Sequence, residues 1–389
     1  MARLPLPSAL LSSLLATTLA LAGCGDATSP DPEPAPEEQH PVASAGPHPV
    51  GRTTVTLDDT ARTRSLRVEI WYPAAESARA AADTGHPLED FAAPGDERTQ
   101  LADLVAAAPD PGTTRRVHAA LDAPLAEGGS FPVVAFSHCY NCTRFSIATV
   151  AERLASHGVA VVAPDHAGGT LFDELAGNAA PLGTEFLAVR AADMIFTLDR
   201  VLDPAATELP DALRGHLDPE RVGVFGHSFG GVTTGVVLAD DPRPRAGLAL
   251  AVPMENPLLP GAAMADIHIP VFFLLATEDN SITEIGNDYI RQNFEAASPP
   301  AWKAEVKDAG HWSFTDICGL VEGFSAGCTE DVRQTDREPF TYLDIVAARG
   351  IAAAYTTAFF LATLTDDASA RAYLDAGHPA DTVDLATRK

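Results

Sequence analysis

Two periods of apolar residues run through most of the chain. Residues 53–57 and 65–72 alternate apolar and polar side chains, which predicts half-buried antiparallel strands, the second stopped by Pro73. Strand-length, mostly apolar runs follow at 131–136, 159–163, 222–225, 246–251, 271–275 and 302–306. Between them lie helical spacings at 144–157, 184–201, 232–239 and 285–297, with a last one at 342–364. The helix at 184–201 is expected to carry Arg190, Asp193 and Arg200 on its polar side. Strand and helix alternate from residue 131 onward. The pattern therefore predicts an α/β fold, a doubly wound and mostly parallel sheet preceded by antiparallel strands. Residues 74–129 interrupt it with polar, Ala-rich sequence that has helical spacing at 98–108. They read as an insertion over one end of the sheet and a candidate lid. No linker follows Val50 and no internal repeat is visible, so 51–389 is read as one domain.

Ligands of such sheets bind beyond the C-terminal ends of the strands, so chemistry is sought in the loops there. One of these stretches organises the rest. After the apolar run 222–225 comes Gly226-His227-Ser228-Phe229-Gly230, then an apolar segment of helical length. Strand, sharp turn and helix with serine at the apex is the arrangement of a nucleophile elbow. The glycines let strand and helix approach. The turn lifts the Ser228 hydroxyl clear and aims the Phe229 amide and the helix N-terminus at a reacting oxygen.

A serine nucleophile needs a base, an acid to orient the base, and donors for the oxyanion. The histidines beside or after Ser228 are His227, His268, His311 and His378. His227 adjoins the serine and is expected to point elsewhere, His268 precedes a strand, and His378 lies in the tail. His311 follows the last strand on a loop opened by Gly310 and is the expected base. Asp279, directly after the strand 271–275, is the expected acid, with Glu255 as its rival. The second oxyanion donor is expected from the loop after 131–136, at the Tyr140 amide. Phe229, Tyr140, Trp312 and Phe314 are expected to form an apolar acyl site.

Composition adds limits. The formal charge of −27 over 389 residues, with 46% hydrophobic and 20% charged residues, fits a globular protein with a sizeable core. Such an acidic surface argues against nucleic acid as a partner. Arg3 precedes an apolar, charge-free run at 9–22, expected to be a signal segment (1–23) and too short to span a bilayer. Residues 24–50 are rich in proline and acid and contain no Lys or Arg, which predicts an extended tether. Cys139, Cys142, Cys318 and Cys328 form an even set. In an exported protein they suggest two disulfides, and Cys139–Cys142 with Cys318–Cys328 is the favoured pairing of three. The Cys139-x-x-Cys142 spacing could open a zinc site. Cys318 and Cys328 lack the spacing to complete one, so no metal is expected.

Leu21-Ala22-Gly23-Cys24 resembles the lipobox of bacterial lipoproteins, which implies lipidation of Cys24 and export to the bacterial cell envelope. The segments around Trp71-Tyr72-Pro73, Ser137-His138, Ser156-His157-Gly158, Pro164-Asp165-His166, Gly226 to Gly231 and Gly310 to Phe314 resemble the α/β-hydrolase superfamily. They are most similar to secreted platelet-activating-factor acetylhydrolases and to bacterial dienelactone-hydrolase-like and polyester-hydrolase-like lipases. Two positions depart from the acetylhydrolases: Cys139 stands where they have Gly, and Ala251 where they have the acid. The resemblance implies hydrolysis of short-chain or oxidised acyl esters without metal or cofactor, with a small ester or lipid as substrate. Membrane contact is expected through the lipid anchor alone. The alternatives are a cutinase-like polyester hydrolase or, in another class, a non-catalytic ligand-binding envelope lipoprotein.

Overall fold

Strands β1 (Val50–Asp59) and β2 (Arg64–Pro73) form an antiparallel hairpin in which Val55, Leu57, Leu66, Val68 and Ile70 are buried. The computed structural model describes residues 41–108, 116–376 and 381–389. The expected signal segment, Cys24, the tether up to residue 40 and His378 lie outside them. Gln39–Lys389 is one compact unit. The last ten residues assigned to the tether belong to this unit. Val42 is buried and its carbonyl accepts from Arg153, while the Gly46 amide donates to Ser156 Oγ at 2.9 Å. The prolines of this stretch leave room for only a 3₁₀ turn at Pro41–Ala43 and do not prevent docking, for which Val42 and Val50 supply the apolar contacts.

The insertion contains α1 (Arg79–Thr84), β3 (His86–Pro87), α2 (Asp96–Ala107), β4 (Arg116–Val117) and β5 (Ala120–Leu121). Its described residues extend the sheet edge instead of covering the serine, because β5 pairs with β1. Phe91 anchors it, stacked on Phe145 at 5.1 Å and packed against Trp71. A buried ion network holds the same corner. Glu69 pairs with Arg52 at 3.1 Å and Arg144 at 3.3 Å, and Arg144 also reaches Asp165 at 2.8 Å.

The remainder alternates as expected: β6 (Phe131–Ser137), α3 (Ala148–Ser156), β7 (Ala160–Pro164), α4 (Leu171–Leu175), α5 (Thr184–Leu202), β8 (Leu217–His227), α6 (Phe229–Asp240) and β9 (Pro244–Leu250). Then come β10 (Val271–Ala276), α7 (Thr283–Ala296), β11 (Ala301–Val306), a hairpin of β12 (Glu330–Val332) and β13 (Pro339–Thr341), α8 (Ile345–Leu364), α9 (Ala368–Ala376) and β14 (Val383–Arg388). The ten-stranded sheet runs β14-β11-β10-β9-β8-β6-β7-β2-β1-β5. Its centre, from β11 to β7, is parallel, and β14 and β2 flank it antiparallel. Helix α3 starts later than its spacing suggested. The Arg144 amide is taken by Asp165 Oδ1 at 2.8 Å, which holds the chain in turns up to Ile147.

Helix α8 is apolar all round and long enough to cross a membrane, yet 83% of its most apolar window is buried inside this unit. It is the core helix of one face of the sheet, with Phe359 and Phe360 packed on Phe272 and Phe225. Asp344 caps it by accepting from the Val346 and Ala347 amides, both at 3.0 Å. Burial on both faces explains why the central strands read as continuous apolar runs.

Candidate active site

The loops after β6, β8, β10 and β11 meet at the C-terminal edge of the parallel strands, as the topology requires. At the end of β8 the chain reverses within one residue. Ser228 has φ 54° and ψ −129° and caps α6. Such backbone costs about 1–3 kcal/mol and persists only where the surroundings enforce it. Here they do. A Cβ on Gly230 would lie 1.8 Å from the Ser137 carbonyl oxygen, and one on Gly226 2.1 Å from the Gly230 backbone. Neither position accepts any other residue.

The structure brings Ser228, His311 and Asp279 together. His311 Nε2 is 2.8 Å from Ser228 Oγ, and His311 Nδ1 is 2.7 Å from Asp279 Oδ2. Asp279 is fully buried, and its other oxygen accepts from the Ser281 and Ile282 amides at 2.9 and 3.0 Å. The carboxylate is thus fixed with one oxygen left for the imidazole. Glu255 is engaged elsewhere, accepting from the Met264 amide at 2.7 Å. Glu278 binds Arg333 at 3.0 Å, and His268 is exposed.

His227, expected to turn away from the site, has a definite place in it. Its Nε2 donates to the His311 carbonyl at 2.8 Å, and its ring lies 4.9 Å from the His311 ring. Burial, then the neighbouring His311, hold its pKa far below the ordinary value, so it is a neutral donor that anchors His311. The loop after His311 is braced further. The Trp312 backbone amide donates to the Ala326 carbonyl at 2.9 Å, Ser313 Oγ donates to the Gly327 carbonyl at 2.7 Å, and the Cys318–Cys328 disulfide closes the segment.

The acyl-site expectation needs correction. Trp312 and Phe314 are packed in the core, Trp312 against Phe324 at 4.3 Å. A side chain next in sequence to His311 is drawn inward by the apolar core under the loop. The cleft of about 490 Å³ that contains Ser228 and Phe229 is walled by Tyr140, Leu182, Val232, Val252, Leu258, Leu259 and Ile282. Among the described residues, none from the insertion lines it. Leu182, Leu258 and Ile285 at its mouth are 52%, 80% and 67% exposed, so the entrance is apolar too.

Behind the loop after β6 lies a polar cluster that the sequence pattern hid. Arg190 and Asp193 face inward from α5 and are buried, as are Ser137, His138 and His166. Ser137 Oγ is 3.0 Å from His166 Nε2, and His166 Nδ1 is 3.2 Å from Asp193 Oδ2. This chain repeats the serine, histidine and aspartate order of the first, but with all three buried no ester carbonyl can reach it. Burial and the Arg190 charge hold His166 down to about 4. Burial alone would raise Asp193, but hydrogen bonds from His166 and Arg64 outweigh it and hold Asp193 at about 2. The signal was present in Pro164-Asp165-His166, whose histidine follows a buried strand with no role assigned. The Cys139–Cys142 disulfide closes the loop in front of the cluster.

Comparison with known proteins agrees with this architecture. The family model described as Platelet-activating factor acetylhydrolase, isoform II, matches residues 35–170, and that of the Dienelactone hydrolase family matches 129–316. A platelet-activating factor acetylhydrolase of Bos taurus is 30% identical over 165 residues, 34% of this chain and 37% of its own length. Cutinase est2 of Thermobifida alba is 31% identical over 153 residues, 39% of this chain and 43% of its own. The chain therefore spans about two-fifths of the length of these curated relatives. Among solved structures, a ferulic acid esterase from Streptomyces cinnamoneus superposes with a TM-score of 0.64 at 23% identity, covering 90% of this chain and 99% of that one. That likeness speaks to the fold. With this sheet, a serine turn after β8 and family models that between them run from residue 35 to residue 316, the chain has an α/β-hydrolase fold and is similar to the esterases built on it.

Proposed function

We propose that the protein is a serine carboxylic ester hydrolase acting on short-chain or oxidised acyl esters, in the manner of the platelet-activating-factor acetylhydrolases it resembles. One observation carries the reading: the Ser228–His311–Asp279 relay, at 2.8 and 2.7 Å, opens into an apolar cleft. Ser228 Oγ attacks the ester carbonyl carbon while its proton passes to His311 Nε2 and the carbonyl π pair moves onto oxygen. The Phe229 and Tyr140 amides receive that oxyanion. Collapse breaks the bond to the alcohol oxygen, which takes the proton from His311. Water then repeats the sequence against the acyl-enzyme and frees the acid. Asp279 holds His311 in the tautomer whose Nε2 is free to accept, and it stabilises the imidazolium.

The exposed Leu182, Leu258 and Ile285 at the cleft mouth favour a second reading within the same chemistry, a cutinase-like enzyme that works against an extended apolar polymer. Either enzyme would be exported and held to the bacterial envelope through Cys24, with the proline-rich segment as its tether.

The deciding experiment compares wild type with Ser228→Ala. A fluorophosphonate probe should label only the former, and turnover of p-nitrophenyl acetate should vanish in the latter. Labelling that survives the substitution would put the nucleophile at another residue and reject the assignment, whereas a wild type that takes no label and turns over no ester would leave the non-catalytic, ligand-binding reading. A panel of acetyl to palmitoyl esters, an acetylated ether phospholipid and a polyester film then separates the two enzyme readings. Preference for the acetylated phospholipid supports the first, and erosion of the film supports the second.

A further inference from the structure

The buried cluster behind the β6 loop does more than fill space. Arg190 is fully buried, and its guanidinium reaches three acceptors on one stretch of chain: Ser137 Oγ at 3.0 Å, the His138 carbonyl, and the Cys139 carbonyl at 3.4 Å. Its ring-side neighbour is Phe229, with the guanidinium carbon 4.7 Å from the ring centre. No carboxylate binds it directly among the described contacts. The nearby Asp193 is taken by Arg62, Arg64 and His166, and Arg190 Nε has no partner. An uncompensated buried cation is costly, and an apolar side chain of similar volume would serve packing better.

The histidines beside it define the direction of every bond. His138 Nε2 accepts from the His166 amide at 3.0 Å, so its proton is on Nδ1, which donates to the Cys139 carbonyl at 2.7 Å. His166 Nδ1 donates to Asp193, leaving Nε2 to accept from the Ser137 hydroxyl, whose oxygen in turn accepts from Arg190. The Cys139 carbonyl is therefore gripped from behind by both Arg190 and His138. A trans peptide places its N–H opposite its C=O. With the Cys139 oxygen turned inward, the Tyr140 N–H must point away from the cluster. On that side Tyr140 walls the cleft beside Ser228, its ring on edge to Phe229 at 6.2 Å. A cation at the carbonyl end also polarises the peptide, which makes the N–H at the other end a stronger donor.

We propose that Arg190 is the positioning residue of the oxyanion hole: it holds the Cys139–Tyr140 peptide so that the Tyr140 amide meets the oxygen that becomes negative when Ser228 attacks. The inference rests on the esterase reading above and assigns a residue that does not touch substrate. It predicts a loss confined to the transition state.

The test uses Arg190→Met and Arg190→Lys in the full chain, with p-nitrophenyl acetate as substrate and an aryl trifluoromethyl ketone as an inhibitor that binds as its hemiketal oxyanion. Arg190→Met should lower kcat by about 10- to 100-fold with KM within about 3-fold, and should weaken the ketone by the same factor. Arg190→Lys keeps the charge and the fold but cannot span the same acceptors, so it should lose less in the same two quantities. If Arg190→Met does not fold, the lysine variant decides by the same comparison. The inference falls if kcat stays within about 3-fold, if the loss appears in KM, or if kcat drops while the ketone binds as before. Inactive wild type would instead sink the esterase reading itself, and activity that survives Ser228→Ala would sink its assignment to Ser228.

Discussion

At the scale of single residues, what else each carboxylate is bound to favours Asp279 over Glu255 as the proposed acid. Asp279 has one oxygen committed to two backbone amides and the other free for His311, whereas Glu255 is committed to Met264. Asparagine at 279 would keep the amide bonds and turn an NH₂ toward His311 Nδ1. The imidazole would then carry its proton on Nε2 and could no longer accept from Ser228. Asp279→Asn should therefore cost about 10³- to 10⁴-fold in kcat, and Glu255→Gln should leave kcat within about 3-fold, both read with p-nitrophenyl acetate. A larger loss for the glutamine variant would reverse the assignment. That Ser228, His311 and Asp279 meet in space could be read from the chain because each lies in a loop that follows a strand, where strand order decides the location. Trp312 and Phe314 could not. Aromatic side chains are equally at home in a cleft wall or a core, and only the packing beneath the loop sends these two inward. Arg190 and Asp193 were misread for the converse reason: charge usually marks a solvated helix face, and here it marks a buried network.

Secondary-structure elements show the same division. β6, β7, β8, β9 and β10 were legible as apolar runs because both their faces are covered. β5, β12, β13 and β14 are short or mixed in pattern at edges, and pairing rather than periodicity defines them. The β12–β13 hairpin matters to the site nonetheless. Arg333 bridges Glu278 at 3.0 Å and Asp308 at 2.6 Å, and Asn280 reaches Asp331 at 2.8 Å, so the hairpin straps the Asp279 loop to the His311 loop. Between them, Cys318–Cys328 closes ten residues of sequence separation just past His311. Loop closure of that length is worth about 3 kcal/mol through the unfolded chain. Replacing both cysteines by alanine should lower the urea unfolding free energy by about that amount, and kcat should fall further than KM rises as His311 loses its brace. Loss of stability with kcat intact would show that the bridge serves the fold alone.

For the molecule as a whole, pH acts through histidines that the fold keeps neutral. His86 and His166 are held down to about 4, and His138, His157 and His227 also lie below the ordinary value, in each case chiefly by burial. His166 faces Arg190, Asp193 and Arg64, His138 faces Arg190, His166 and Arg144, and His227 faces His311. In the unfolded chain each would take up its proton near pH 6.5. Below that pH the unfolded state binds more protons than the folded one, so stability falls as pH falls. The contribution of His166 is fully present above about 6.5 and is lost progressively toward about 4, reaching roughly 3 kcal/mol. Asp193 adds a second loss only below about 4, as its carboxylate is protonated. Net charge works the other way: the formal −27 shrinks on acidification, which relieves self-repulsion and favours the compact state. Salt separates the two effects, since about 0.5 M electrolyte screens surface repulsion over a few ångströms and leaves buried groups untouched. Urea unfolding midpoints measured in that salt should therefore drop between pH 6.5 and 4.5, and His166→Gln should flatten the slope. A midpoint that holds or rises over the same interval would mean that these rings are protonated inside the folded protein, and the hydrogen-bond directions drawn for the cluster behind Tyr140 would have to be reversed.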